Sequence, residues 1–302
     1  MDFKSKIILI YGPTASGKTQ FAIKIAKKVR GEIINADSMQ VYKDLKILTA
    51  RPLKNDMKNI KHHLYGIKSS NNEFSTGEWI NLAISKIESI QKKNKVPILV
   101  GGTGLYFKAI TDGLVKIENI TKKNRNKIRD LQKKIGQKKF YEKLTKVDPL
   151  SSININPTDV QRSIRAYEVK IFTNKSIFDW YKETKSIFNK KELFKLYIDF
   201  PRLQLIERIN SRTKKMLQNG SILEVKKFLS LKVSKNKSIS KAIGVLEIKD
   251  LIQKKLTLEQ VIEKISIKTR QYAKRQATWA RGNMKDWKKI KPKDLSSFLK
   301  KI

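Results

Sequence analysis

The segment that most constrains this chain is a glycine-rich stretch near the N-terminus, residues 12–19. It reads, in order, Gly12, Pro13, Thr14, Ala15, Ser16, Gly17, Lys18 and Thr19. These residues satisfy every fixed position of the phosphate-loop pattern G-x-x-x-x-G-K-[ST], in which the lysine reaches the terminal phosphate and the last hydroxyl binds Mg²⁺. An apolar run at 7–11 precedes them, and apolar residues within 21–26 recur at helical spacing. Because a strand, a loop and a helix in this order aim backbone N–H groups at a phosphate, the sequence predicts a site for a di- or triphosphate.

Further apolar runs predict the other strands of a sheet. They lie at residues 32–36, 97–100 and 193–200. The first leads into Asp37, and the second runs into another glycine-rich turn at 101–104. Strands that alternate with helical patterns favour an α/β fold, with a parallel sheet flanked by helices. The turn at 101–104 is expected either to face the same crevice as the phosphate loop or to allow a helix to pack closely on the sheet.

The middle of the chain has a different pattern. Apolar strand patterns give way to basic amphipathic helices, predicted at 122–135 and 159–172. We therefore expect a helical insertion domain over 113–192. The α/β core would then comprise residues 1–112 and 193–302, the latter including C-terminal helices.

The charge of the chain favours a polyanionic partner. Sixty-seven Lys and Arg residues face 27 Asp and Glu residues, which gives a net charge of +40. Such an excess favours binding of nucleic acid. A coding bias towards lysine is the alternative explanation. A helix predicted at 258–281 carries basic stripes interleaved with Tyr272, Trp279 and Trp287, which suits either unpaired RNA bases or a solvated surface. The lysine-rich tail after Trp287 is expected to be mobile.

The residue types present narrow the chemistry. The chain has no cysteine, and its two histidines, His62 and His63, are adjacent. This excludes disulfides and thiolate chemistry and makes a carboxylate the expected base for proton transfer. The sequence has no run of 18 apolar residues, so we expect a cytoplasmic location.

Two acids follow predicted strands, Asp37 and Asp199. Ligands of open α/β sheets bind at the carboxyl ends of strands, so both are candidate site residues. A phosphate loop with a metal-binding acid at a strand end is typical of kinases and nucleotide hydrolases. Asp199 in that role keeps such an enzyme as an alternative.

Seven motifs occur in a specific order along the chain. They are Gly12 to Thr19, Asp37-Ser38-x-Gln40-x-Tyr42, Thr49-Ala50-Arg51-Pro52, His62-His63-Leu64, Val100-Gly-Gly-Thr-Gly-Leu-Tyr106, Asn156-Pro157-x-Asp159-x-x-Arg162, and Thr269-Arg-Gln-Tyr-Ala-Lys-Arg-Gln-x-Thr-Trp279. With these motifs the chain resembles the tRNA dimethylallyltransferase (tRNA isopentenyltransferase) family from about residue 5 to residue 282. The last motif is the most specific of the seven.

The resemblance implies a P-loop NTPase-like core whose phosphate loop holds the diphosphate of dimethylallyl diphosphate. The acceptor would be the exocyclic amine of the adenosine immediately 3′ of the anticodon, in tRNAs that read codons beginning with U, with that base flipped out of the anticodon loop. Asp37 matches the family's catalytic acid and would accept the proton of the amine. Negative charge would grow on the bridging oxygen of the departing diphosphate. The groups that would stabilise this charge are Lys18, Arg212 and Thr19 with its Mg²⁺, and Thr14 is a candidate hydrogen-bond donor to the same oxygen.

The resemblance also implies contacts with tRNA. The positions that match are Asp37, Ser38, Met39, Gln40, Thr103, Gln161, Arg162, Ser163, Ile164, Arg165, Lys241, Ala242, Ile243, Gly244, Val245 and Leu246, with Arg125 in the insertion as a further match. The chain departs from the family at Val245-Leu246, where an aromatic residue and a cation are usual. Hydrophobic walls around the five-carbon chain are expected to include residues 103–106. We expect a monomer.

Three alternatives from the sequence stay open beside transfer to tRNA. A kinase or nucleotide hydrolase would bind and turn over ATP. An enzyme that prenylates free adenine nucleotides would act on AMP without RNA. A non-catalytic RNA-binding protein would tolerate the replacement of Asp37 by alanine.

Overall fold

The computed structural model describes residues 3–115, 117 and 120–302, so residues 1, 2, 116, 118 and 119 of the expected domains lie outside it. The chain forms two compact units. The first, which we call the core unit, comprises Met1–Thr111 with Phe188–Ile302, and the second, the insertion unit, is Asp112–Ile187. The sequence places these boundaries at 112/113 and 192/193. The insertion unit ends at Ile187 because the 3₁₀ turn Lys190–Glu192 leads directly into a strand of the core unit.

The strands of the core unit are β1 (Ile7–Tyr11), β2 (Gly31–Asn35), β3 (His62–His63), β4 (Val96–Gly101), β5 (Leu193–Ile198) and β6 (Lys288–Ile290). The α-helices, in chain order through both units, are α1 (Lys18–Lys28), α2 (Lys54–Met57), α3 (Thr76–Gln91), α4 (Gly104–Thr111), α5 (Lys122–Val147), α6 (Leu150–Asn154), α7 (Val160–Thr173), α8 (Ile177–Glu183), α9 (Arg202–Met216), α10 (Ile222–Ser230), α11 (Val245–Ile252), α12 (Leu258–Asn283) and α13 (Leu295–Lys300).

The six strands form one sheet in the order β3-β2-β4-β1-β5-β6. Their recorded pairings are all parallel, and Ile10 of β1 lies opposite Val100 of β4 and Leu196 of β5. The strands β1, β2 and β4 are buried along their full length, as expected for a parallel sheet covered by helices on both faces. The predicted α/β fold is confirmed. Since the strands are parallel, the segments that follow β1, β2, β4 and β5 all meet at one edge.

The C-terminal tail is ordered, and its predicted mobility is wrong. Residues 288–290 form the edge strand β6, and α13 follows. Trp287 is 5% exposed and packs edge-on against Phe107, and Phe298 lies 5.9 Å from Phe21 of α1, between ring centroids. The lysines between these apolar side chains concealed them in the sequence, because Ile290 and Phe298, the buried residues of 288–302, lie eight positions apart and form no periodic pattern.

The insertion unit is helical and has its own core. Its helix α5 packs along α7, and the buried side chains between them include Phe140, Leu144 and Tyr167. Within α5, the helix predicted at 122–135 is interrupted at Gly136, whose backbone at φ 76° and ψ 167° is not helical, and a second helical segment runs from there to Val147. Among the described residues of both units, no helix is long and apolar enough to cross a bilayer.

Candidate active site

The phosphate loop leaves β1 and enters α1 as the sequence predicts. Ala15 and Gly17 adopt left-handed backbone conformations, with φ 64° and 81°, and α1 begins at Lys18 with Gly17 as its N-cap. Because a glycine cap has no side chain, it leaves the first N–H groups of α1 free to bind a ligand. The loop therefore has the backbone geometry of an anion site at a helix N-terminus.

Two polar groups inside the loop suit a bound diphosphate. The hydroxyl of Ser16 is buried and has no hydrogen-bond partner among the described residues. In the part of the chain that the structure describes, the ammonium of Lys18 donates to the carbonyl of Pro13, at 3.2 Å, and to no other acceptor. Burial lowers the pKa of Lys18 to about 8, with the Asp37 carboxylate opposing this change and Arg212 adding to it. A buried hydroxyl without a partner and a desolvated cation would both gain from the oxygens of a phosphate.

Two arginines of α9 hold the same loop. Arg212 donates from Nη2 to the hydroxyl oxygen of Thr14 at 2.7 Å, and Arg208 donates from Nε to the carbonyl of Ala15 at 2.8 Å. Burial lowers the pKa of Arg212, Asp37 raises it and Arg208 lowers it further. The sequence singled out Arg212 and not Arg208, although the i, i+4 spacing of the pair already places both on one face of a helix.

Asp37 follows β2 in a tight turn at the same edge of the sheet. Its Oδ1 accepts from the N–H of Met39 at 3.0 Å, and its own N–H donates to Oδ1 of Asn35 at 2.9 Å. Asn35 is fully buried and also donates to the carbonyl of Leu64 at 3.1 Å. Asn35 thus fixes the turn that presents the Asp37 carboxylate. Sequence reasoning missed it, although a polar residue at the end of a buried strand is itself a signal.

Tyrosine side chains lie within electrostatic range of the Asp37 carboxylate. The pKa of Tyr65, Tyr106 and Tyr272 is raised, chiefly by burial and then by the negative charge of Asp37. The same carboxylate acts on Lys18 and Arg212, as described above. Asp37 therefore lies within electrostatic range of both the phosphate loop and these three tyrosines.

The second glycine-rich turn serves close packing. A Cβ atom at Gly101 would lie 2.0 Å from the carbonyl oxygen of Ala36, and one at Gly104 would lie 2.5 Å from the Trp279 ring. Thr103 adds a hydrogen bond between this turn and the turn of Asp37, since its Oγ1 accepts from the N–H of Ser38 at 2.9 Å. Of the two expectations for this turn, close packing accounts for the glycines, and the packing holds the turn that carries Asp37.

A cavity of about 240 Å³ lies between the phosphate loop, the turn of Asp37 and Arg212 of α9. It is lined by Thr14, Asp37, Met39, Leu48, Thr49, Arg212, Thr213, Met216, Lys241, Ala242, Ile243, Ile265, Thr269, Tyr272 and Arg275. Its apolar walls come from the loop after β2 and from α9 and α12. The expected wall at 103–106 is not part of this lining, because Tyr106 is buried and stacks on Trp79 with ring centroids 4.0 Å apart.

One carboxylate holds the loop that forms a wall of the cavity. Glu224 of α10 accepts from the backbone N–H groups of Lys46, Ile47 and Leu48 at 2.7, 2.8 and 2.8 Å. Three donors converging on a single side chain fix the backbone next to Leu48. No sequence pattern indicates this contact, since the partners lie more than 170 residues apart.

Replacing Glu224 with glutamine is expected to loosen this loop. An amide offers one acceptor oxygen and turns its own N–H₂ group towards the three donors, so at least one of them loses its partner. An unsatisfied buried donor costs about 1–3 kcal/mol, which corresponds to roughly tenfold faster amide exchange through local opening. Hydrogen exchange at residues 46–48 measures this, with Glu88→Gln on the exposed face of α3 as the control. Unchanged exchange at these three amides would show that Glu224 does not hold the loop.

The segment 241–246 lies beside the cavity only in part. Lys241, Ala242 and Ile243 line it. Val245 is buried and Leu246 is 56% exposed, so the two positions that differ from the family face opposite environments. The RNA contacts expected for this segment stay predictions, and the side chain of Val245 is covered by the protein.

The positions of α7 expected to contact RNA differ in their exposure. Ser163 and Ile164 are buried, and Ser163 donates to the carbonyl of Asp159 at 2.7 Å. Gln161 and Arg162 of the same helix are exposed. Arg165 is partly exposed and pairs with the buried Glu168 at 3.4 Å, and Arg125 is partly buried in the first turn of α5. A helix cannot present five consecutive side chains to one partner, because successive residues point 100° apart.

The aromatic residues near the basic stripes also differ from expectation. Trp287 is buried and cannot stack on a base. Trp279 packs on Tyr11 with ring centroids 5.9 Å apart, and Tyr272 lines the cavity with the guanidinium of Arg275 5.9 Å from its ring centroid. Of the three aromatics, Tyr272 is the one whose ring is open to the cavity that contains Asp37.

Asp199 lies elsewhere. It lines a separate pocket of about 750 Å³ between α9 and α12, together with Pro13, Arg202, Lys274 and others. In the described part of the chain, no three His, Cys, Asp or Glu side chains form a group that could hold a metal ion. Asp37 lines the cavity that Thr14 and Arg212 also line, whereas Asp199 lines the other pocket. This placement favours Asp37 as the base for proton transfer, and it gives less support to the alternative in which Asp199 binds a metal ion.

Comparison with known proteins gives the same family by sequence and by structure. A family model described as IPP transferase matches residues 40–283. A Pelagibacter ubique protein named tRNA dimethylallyltransferase is 60% identical over 302 residues, covering 100% of this chain and 96% of that protein. An Allorhizobium ampelinum protein of the same name is 40% identical over 296 residues, covering 97% of each.

Solved structures agree. A eukaryotic dimethylallyltransferase acting on tRNA superposes with a TM-score of 0.84 at 29% identity, covering 97% of this chain and 75% of that one. The full-length tRNA isopentenylpyrophosphate transferase of Bacillus halodurans superposes with a TM-score of 0.71 at 31% identity, covering 98% and 95%.

Proposed function

Because the chain belongs to the IPP transferase family, we propose that it transfers a dimethylallyl group from dimethylallyl diphosphate to tRNA. The acceptor is the exocyclic amine of the adenosine immediately 3′ of the anticodon, in tRNAs that read codons beginning with U, and diphosphate is released. The observation that carries this proposal is that Asp37, Thr14 and Arg212 line one cavity next to the phosphate loop. A base and an anion site that meet in one cavity are what a transfer from a diphosphate to an amine requires.

Asp37 is the base in this reaction. The exocyclic amine of adenine is a weak nucleophile, because its lone pair is delocalised into the ring. As the bond from this nitrogen to the first carbon of the dimethylallyl group forms, the bond from that carbon to the diphosphate oxygen breaks, and the amine proton passes to the Asp37 carboxylate. The backbone of Met39 and the side chain of Asn35 hold this carboxylate in place before the substrate arrives.

The phosphate loop and α9 receive the leaving group. Negative charge grows on the bridging oxygen as the carbon–oxygen bond breaks. Lys18 and Arg212 supply positive charge at the loop, and the Thr14 hydroxyl, whose oxygen accepts from Arg212, keeps its proton for donation to that oxygen. Groups held in position before the reaction stabilise this charge without reorganisation. The walls from Leu48, Met216 and neighbouring side chains exclude water from the allyl group.

A magnesium ion fits the same site. Mg²⁺ prefers oxygen ligands and is usually held by few protein groups together with phosphate oxygens. The hydroxyl of Thr19, in the first turn of α1, offers one such oxygen beside the loop that would hold the phosphates. Thr19 would hold the ion, and the ion would neutralise part of the diphosphate charge. The chain's own residues bind and orient the diphosphate around it.

Replacing Thr19 with valine is expected to raise the Mg²⁺ concentration for half-maximal diphosphate binding about tenfold, since the shape is kept and the oxygen ligand is lost. Calorimetric titration of inorganic diphosphate at a series of Mg²⁺ concentrations measures it. Thr19→Ser keeps the hydroxyl and serves as the control. An equal Mg²⁺ requirement in the valine variant and the wild-type protein would remove Thr19 from the metal site.

We further propose that the protein acts as a monomer in the cytoplasm. Each core unit contains a phosphate loop, Asp37 and the cavity between them, so one chain supplies the proposed chemistry. Sedimentation of the free protein and of its complex with an anticodon stem-loop tests the monomer.

The decisive experiment is transfer of labelled dimethylallyl groups to an anticodon stem-loop. The stem-loop carries adenosine 3′ of an anticodon that reads U-starting codons, and the matched control carries guanosine there. We expect label on the adenosine stem-loop alone. Label on free AMP in the absence of RNA would point to prenylation of adenine nucleotides, and ATP turnover without transfer would replace this proposal with a kinase or hydrolase.

A further inference from the structure

Gln276 of α12 is a buried amide between the two glycine-rich turns of the core unit. It is 4% exposed, and its side chain makes one hydrogen bond to each turn. Its Oε1 accepts from the N–H of Thr14 at 2.8 Å, and its Nε2 donates to the carbonyl of Gly102 at 2.8 Å. The orientation of the amide is fixed, because a backbone N–H can only donate and a carbonyl can only accept.

The space around this amide is fully used. A Cβ atom at Gly102 would lie 2.1 Å from Nε2, so the side chain rests directly on the backbone of the second turn. The backbone carbonyl of Gln276 accepts from the hydroxyl of Tyr11 at 3.0 Å, which ties α12 to the end of β1 as well. Gln276 therefore has little freedom to move relative to either turn.

The second turn passes this constraint on to Asp37. The N–H of Thr103 donates to the carbonyl of Ala36 at 3.2 Å, and its Oγ1 accepts from the N–H of Ser38 at 2.9 Å. These two bonds fix the residues on either side of Asp37. A continuous path of hydrogen bonds thus runs from Thr14 in the phosphate loop, through Gln276 and the second turn, to the turn of Asp37.

We infer that Gln276 is a positioning residue that sets the separation between the leaving group and the base. This inference rests on the proposed function, in which the phosphate loop holds the diphosphate and Asp37 accepts the proton. Both must meet the reacting atoms at the same time, and a misplacement of about 1 Å can lower a rate about 10²-fold. Gln276 contacts neither the diphosphate nor the amine, so it acts through Thr14 and Gly102.

Replacing Gln276 with methionine tests the inference, because methionine keeps the length of the side chain and removes both hydrogen bonds. We expect kcat for transfer to the stem-loop to fall about 10- to 100-fold, and KM for the stem-loop to stay within about twofold. Gln271→Met, on an exposed face of the same helix, is the matched control. The thermal midpoint of each variant is measured alongside, so that a loss of folded protein is separated from a loss of rate.

Replacing Gln276 with glutamate gives a second test that does not depend on the methionine variant folding well. A protonated glutamic acid can accept from Thr14 and donate to Gly102, whereas the carboxylate cannot donate. We therefore expect the ratio of the glutamate variant's kcat to the wild-type kcat to rise as the pH is lowered from 8.5 to 6. A side chain that only fills space would give a ratio independent of pH.

The outcomes distinguish a failure of the proposed function from a failure of the positioning role of Gln276. Absence of transfer by the wild-type protein overturns the proposed function itself. Wild-type transfer together with an unchanged kcat in Gln276→Met, or with a pH-independent ratio in Gln276→Glu, overturns the positioning role alone. A fall in kcat with unchanged KM, joined by recovery of the glutamate variant at low pH, supports it.

Discussion

Replacing Asp37 with asparagine is expected to slow dimethylallyl transfer about 10²- to 10⁴-fold, the range typical for loss of a general base. Asparagine keeps an oxygen that can accept from the N–H of Met39, so the turn is preserved, and it removes the ability to take a proton. Affinity for the anticodon stem-loop should stay within about threefold, because the rest of the cavity is unchanged. Single-turnover transfer and a binding titration with the same stem-loop measure the two quantities.

Asp199→Asn is the matched control for Asp37→Asn. Both acids follow buried strands at the same edge of the sheet, but Asp199 lines the separate pocket between α9 and α12. Its replacement should leave transfer near the wild-type rate. If Asp199→Asn abolishes activity while Asp37→Asn is tolerated, the assignment of the base is wrong and the metal-binding alternative for Asp199 returns.

Replacing Lys18 with methionine is expected to lower kcat/KM for dimethylallyl diphosphate about 10²- to 10³-fold. This is the effect typical of removing one preorganised group that stabilises a developing negative charge. Methionine keeps most of the length of the side chain and removes the ammonium. Initial rates at varied dimethylallyl diphosphate measure the effect, and Lys24→Met on the exposed face of α1 is the control.

The lowered pKa of Lys18 adds a pH dependence to this prediction. In the free protein the ammonium is protonated below its pKa of about 8 and neutral above it. A bound diphosphate favours the charged form, so binding raises the pKa and takes up a proton near pH 8. Affinity for inorganic diphosphate should therefore be at its full value at pH 7, where Lys18 is protonated, and should fall as the pH rises above 8. The Lys18→Met variant corrects for the titration of the ligand itself, and an identical pH profile in that variant would contradict the assignment.

Much of the core could be predicted because its signals are local. The phosphate loop is defined by eight consecutive residues, and the strands by short apolar runs. Asp37 is placed at the ligand edge by its position after β2, since parallel strands end together. These features follow from the chain alone, without knowledge of what packs against it.

The parts that could not be predicted depend on partners far apart in sequence. Gln276 contacts Thr14 across 262 residues, and Glu224 reaches the loop at 46–48 from α10. No spacing rule joins such positions. The burial of Ser163 and Ile164 was not predicted for a different reason: a motif was carried over as a continuous segment, whereas a helix buries one side of every such segment.

The three close approaches at Gly101, Gly102 and Gly104 restrict how this sequence can diverge. Each glycine touches a fixed neighbour, the backbone at Ala36, the amide of Gln276 and the ring of Trp279. A larger residue at Gly102 or Gly104 can be accepted only if the neighbouring side chain changes in the same lineage, whereas one at Gly101 would meet backbone that no substitution removes. Gly282, with no atom within 4 Å of an added Cβ, carries no such linkage. Substitutions should therefore accumulate independently at Gly282, while the turn after β4 and its neighbours on α12 should be inherited as a unit.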